Sequence, residues 1–147
     1  MIWIMAVTAT GYAGEGQPAA VEECKIEAIN GVPFSTDPAS VTGDEAVTLS
    51  GWVVDQRSGR VPLNLSMRFT PAAGAPVDIR VKHRIFRPDV ADYFRKNAYL
   101  IAGFKLTVPP LTLARGRWRM SMAYSVDGRD VVCDNGRSVD ITEAGKP

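Results

Sequence analysis

A chain of 147 residues with 46% apolar residues, 22% charged residues and a net charge of +1 has the make-up of one globular domain with its own core. The near-neutral total excludes a protein that binds polyanions through global charge, and ten prolines with thirteen glycines point to many turns. Charge is unevenly placed, however: residues 1–55 carry eight acidic side chains and one basic one, Lys25, whereas residues 56–119 carry thirteen basic and three acidic, Asp78, Asp89 and Asp92. These stretches either interleave and neutralise each other in the fold, or leave a basic face open to an anionic glycan, a lipid head group or nucleic acid.

The chain opens with an apolar run, Met1 to Val7, and Gly11-Tyr12-Ala13 has the small-x-small form of a signal-peptidase site. The run is far shorter than the ~20 residues of a spanning helix, so no transmembrane span is expected. No Lys or Arg precedes it, which departs from the usual positive n-region; the alternative is an ordinary N-terminal strand. The expected organisation is a signal peptide or flexible leader over 1–20, a β-sandwich domain over 21–142 and a tail over 143–147. Cys24 and Cys133 are too far apart for a CxxC motif. In an oxidising compartment they form a disulfide that staples the first and last strands, closing a loop of about 110 residues worth up to about 4.7 kcal/mol. The alternative is two buried thiols. Leader and cysteines together place the protein in the periplasm or outside the cell.

Cys24–Ile29 reads as the first strand, ended by Asn30-Gly31, and 32–42 as a loop. Val47, Leu49, Gly51 and Val53 share one parity of the next strand. In the cleanest alternation Leu63, Leu65, Met67 and Phe69 face inward, and after the turn at 71–76 Val77, Ile79 and Val81 do the same. The pattern breaks at Arg87-Pro88-Asp89-Val90-Ala91, where proline and an early acid suit a short helix, placed at 88–95 and passing between sheets. Gly103 to Val108 is a strand stopped by Pro109-Pro110. A long strand carries Trp118, Met120, Met122, Tyr124 and Val126 on one face, Asp127-Gly128 makes a hairpin to Val131 and Cys133, and a last strand holds Val139 and Ile141. Regularly spaced short strands with one helix predict an all-β, immunoglobulin-like antiparallel two-sheet sandwich with one short crossover helix.

Gly51-Trp52-Val53-Val54-Asp55, Arg87-Pro88-Asp89-Val90-Ala91 and Ala102-Gly103-Phe104 occur in an order that resembles an accessory β-sandwich module of bacterial cell-envelope glycosyltransferases and related envelope proteins. The resemblance covers most of residues 22–142. It implies an envelope setting near saccharides, and it carries no catalytic or ligand residues over to this chain, which has no transferase portion.

The sequence contains none of the usual catalytic or phosphate-binding motifs, and one histidine leaves little for a metal site, so neither an enzyme nor a cofactor is expected. Asp89 and Asp92 share one helix turn, which suits capping better than glycoside chemistry. Asp55 is expected to bond backbone in the turn at 56–59, or to pair with a nearby arginine such as Arg57 or Arg87. Arg68, Arg80, Lys82 and Arg84 lie on the polar parity of adjacent strands, and Arg115, Arg117 and Arg119 have outward parity before or on the Trp118 strand, so several would share one face suited to an anion; Arg80, Lys82, Arg84 and Arg87 are the expected ligand residues. Trp52, opposite in parity to Val53, is either exposed or in a second layer; it and Tyr93 are the aromatic candidates for sugar stacking. The expected function is a non-catalytic envelope module that binds an anionic saccharide or a partner protein; nucleic acid is disfavoured because no aromatics interleave with the basic parity. The alternative is an assembly or chaperone-like subunit acting through an exposed strand edge.

Overall fold

The computed structural model describes residues 23–35 and 37–143. The expected leader, with Trp3, and the tail beyond Glu143 lie outside the described residues. Among the described residues there are eleven strands: β1 Cys24–Ile29, β2 Val32–Pro33, β3 Ala39–Thr42, β4 Val47–Val53, β5 Leu65–Pro71, β6 Val77–Arg80, β7 His83–Ile85, β8 Gly103–Val108, β9 Gly116–Val126, β10 Arg129–Cys133 and β11 Ser138–Thr142. The helix α1 Pro88–Phe94 is followed by a 3-10 turn at Asn97–Tyr99.

The first sheet has the order β2-β1-β4-β8-β7 and the second β3-β11-β9-β5-β6. β10 pairs with β9 at Met122–Val126 and β11 pairs with it at Gly116–Arg119, so the two share one edge of the long strand while β5 takes the other. The run β1-β4-β8-β7 matches strands A, B, E and D of an immunoglobulin sandwich, and β11-β9-β5-β6 matches G, F, C and C′. The expected all-β two-sheet sandwich is therefore the fold.

Period-two alternation builds the core. Val47, Leu49 and Val53 of β4, Leu65, Met67 and Phe69 of β5, and Phe104, Leu106 and Val108 of β8 are buried with Trp118, Met120, Met122 and Tyr124 of β9. The Cys24–Cys133 disulfide ties β1 of the first sheet to β10 of the second, with Cα atoms 6.3 Å apart. The bridge thus joins the sheets, and it reaches the penultimate strand rather than the last, because Ser138–Thr142 forms a further strand after it.

Several local expectations change. Leu63 is 68% exposed, because β5 begins only at Leu65, beyond Pro62. The 32–42 loop contains two short strands, one of which, β3, lies parallel to β11. The helix joins β7 to β8, neighbours in the first sheet; the chain passes between sheets at Val81-Lys82 instead. α1 covers the outer face of the first sheet, where Val90 and Ala91 join Val54, Val61, Tyr99 and Ala102 in a second small core with Trp52 and Phe94 packed against it. Among the described residues no helix is long and apolar enough to cross a membrane.

Candidate binding groove

The motif residues meet around the second core, and each has a structural task. Gly51 lies opposite Ile26 beside a register shift in β1, and a Cβ there would come within 1.9 Å of the Lys25 carbonyl oxygen. Trp52 sits edge-on to Phe94 with ring centroids 5.8 Å apart, in the second layer that its parity allowed. A Cβ on Gly103 would meet the Arg87 side chain at 2.6 Å, so the glycine gives that side chain its path. Arg87 grips Glu27 of β1 at 2.7 Å and Asp89 of α1 at 2.8 Å, tying the helix start to the sheet. Asp89 and then Glu27 raise the Arg87 pKa, and Arg87 holds the Asp89 carboxyl down at about 2. Asp92 takes no part, so the two helix acids form no pair.

Asp55 is 2% exposed and closes the turn after β4. Its carboxylate accepts from the Ser58 N–H at 2.9 Å, the Tyr124 hydroxyl at 3.0 Å and Arg129 at 2.9 Å. Burial pushes its pKa up, but hydrogen bonds from Ser58, Tyr124 and Arg129 outweigh that and hold it below the ordinary 3.8. Burial, and then the bond to Asp55, pushes the Tyr124 hydroxyl well above its ordinary value.

The six expected ligand residues do not share one surface. Arg84 is half-buried and donates to the carbonyl oxygens of Pro62 at 2.7 Å and Gly103 at 3.2 Å, with Ile101 and Ala102 at longer range. Burial lowers its pKa. It braces backbone, as Arg87 braces the helix, and Trp52 is partly covered by α1. Tyr93 is 72% exposed on α1, against Phe94. Arg80 and Lys82 alone reach a common concavity.

Most other arginines are neutralised. Arg68–Asp78 at 2.9 Å and Arg117–Asp140 at 2.8 Å are pairs between residues in register on adjacent strands. Arg119–Asp134, Arg115–Glu143, Arg60–Asp127 and Arg129–Asp55 are also joined. From the acidic first 55 residues only Glu27 and Asp55 serve in these ion pairs among the described residues; the C-terminal acids supply most of the rest.

A groove of about 600 Å³ escapes this neutralisation. It opens where β6, the outer strand of the second sheet, and β7, the outer strand of the first, part company at Val81-Lys82. Ile79 and Leu106, both packed against the main core, line it together with Arg80, Lys82, His83 and Lys105, all four exposed. Arg80 contacts the neutral Asn64 Oδ1 at 3.1 Å. The side chains of Lys82, His83 and Lys105 form no hydrogen bond or ion pair among the described residues, and no carboxylate lines the groove. Lys105 also lines a second hollow of about 670 Å³ on the outer face of the first sheet, where Glu27 and Arg87 already neutralise each other.

Sequence reasoning missed His83 and Lys105. Lys105 carried a signal: it has outward parity between Phe104 and Leu106. His83 faces it in register across β7 and β8. No family model, no curated protein and no solved structure matches the chain. Fold and groove define an immunoglobulin-type sandwich with a basic cleft at its sheet edges that no carboxylate of the described residues lines.

Proposed function

We propose that this domain is a non-catalytic module of the cell envelope, periplasmic or secreted, that holds an anionic ligand in the groove between β6 and β8. The ligand is an envelope saccharide or the acidic segment of a partner. One observation carries this reading: Arg80, Lys82, His83 and Lys105 surround a single groove without a carboxylate, while most other arginines of the described residues are paired with acids. Charged groups left open in this way attract an anion over roughly the 8–10 Å Debye length of physiological salt. The disulfide supports an oxidising compartment.

The test is binding of the purified domain to envelope polysaccharides and to polyglutamate at low and moderate salt, beside the R80E/K82E variant. Both substituted residues are exposed, so the variant keeps its fold. Expected are salt-sensitive binding by the native chain and its loss in the variant. Retained binding in the folded variant overturns the reading.

A further inference from the structure

β7 is too short for the strand it accompanies. Its three residues pair with Gly103, Phe104 and Lys105, and none of the described strands covers the same edge of β8 at Leu106–Val108. The cause lies in the chain path. A strand prolonging β7 backwards would run along that edge, but the chain leaves there for the second sheet, and the Val81 N–H binds the Leu65 carbonyl at 2.9 Å. The outer edge of β6, Val77–Arg80, is likewise unpaired among the described residues. The groove lies between these two edges.

From this geometry we infer that the ligand is an extended acidic polypeptide segment that adds to the β8 edge in line with β7. This inference rests on the basic-groove reading above and specifies its occupant. The uncovered length of β8, three residues, spans about 10 Å at the ~3.3 Å rise of a strand. An added strand would satisfy main-chain groups that now have no strand partner, the mode by which sheet edges capture peptides. Its alternate side chains would point in opposite directions. One set would meet Ile79 and Leu106 and is therefore apolar; the other would meet Lys82, His83 and Lys105 and is therefore acidic. A second copy of this edge is a poor occupant, because it would set the same basic groups against each other. A saccharide fits less well: neither Trp52 nor Tyr93, the aromatic candidates for stacking, lines the groove, and no other aromatic does.

The test uses a fluorescent peptide of alternating valine and glutamate, its analogue N-methylated along one edge, and an oligomer of a uronic acid, each titrated into the purified protein and its K82E/K105E variant. The expected result is salt-sensitive binding of the peptide, weakened about tenfold or more by N-methylation, the order expected for lost main-chain hydrogen bonds, and weakened again in the variant. Equal binding of the N-methylated peptide overturns strand addition and leaves the basic groove standing. Binding of the uronate oligomer alone, lost in K82E/K105E, overturns the peptide assignment while preserving the groove. Binding of neither probe overturns both readings.

Discussion

Asp55 is the most consequential single side chain, because three donors converge on a carboxylate that has almost no contact with water. Asp55→Asn keeps the shape but removes the charge and turns an acceptor into a donor. The expected loss is about 2 kcal/mol in a denaturant melt, the order of a buried donor left without its partner. An unchanged melting midpoint would contradict this role. The same group sets part of the acid limit. Its folded pKa lies below 3.8, so its contribution is fully present above that value and is lost as pH falls through the lower folded one. Native stability should therefore decline below about pH 4, and Asp55→Asn should show a shallower decline. The exposed pairs Arg117–Asp140 and Arg119–Asp134 add little to this, since ion pairs in water are weak. Asp55 was legible as a turn residue, but neither Arg57 nor Arg87, the arginines near it in sequence or motif, is its ion-pair partner. Its actual partners, Tyr124 and Arg129, lie about 70 residues away and emerge only with the fold.

At the scale of elements, α1 has only seven residues and no side-chain N-cap, so its own propensity cannot sustain it. It persists because Val90 and Ala91 share an apolar cluster with Tyr99 and Ala102, and because Arg87 anchors its first turn to Glu27. Trp52→Ala removes the platform beneath Phe94 and is expected to cost about 3 kcal/mol, the lower end for a tryptophan since this one is part-exposed. Amide exchange should report early opening of 88–102 with little change in β5 and β9. Uniform loss across both sheets would mean that the second core is not a separate unit. Alternation made β4, β5, β8 and β9 readable from sequence, since each presents one apolar face to the main core. It held at β6 as well: Val77, Ile79 and Val81 all pack on the main core, and the Val81 N–H still binds Leu65 of β5 before the chain leaves for the first sheet. β3 gave little signal because only Val41 of its four residues is buried, and its pairing depends on β11, about 100 residues further on.

Across the whole molecule, the disulfide spans a sequence separation of 109 residues and links the two sheets. Its reduction should lower the unfolding free energy by about 2–5 kcal/mol, read as a shift in the denaturant midpoint. A midpoint indifferent to reductant would mean that the packed core alone restrains this end of the sandwich. Charge has the same long-range character. The sequence placed thirteen basic residues in 56–119 but could not reveal which ones would meet an acid, because that depends on strand register. Register pairs Arg68 with Asp78 and Arg117 with Asp140, whereas Arg80, Lys82, His83 and Lys105 are left around one groove. The most direct test is an amide chemical-shift map recorded while polyglutamate, and separately a uronic-acid oligomer, is titrated at low salt. Shifts concentrated at 79–83 and 105–107 that shrink as salt is added are the predicted result. Shifts centred on Arg115, Arg117 and Arg119, or none with either probe, would contradict the assignment of the groove.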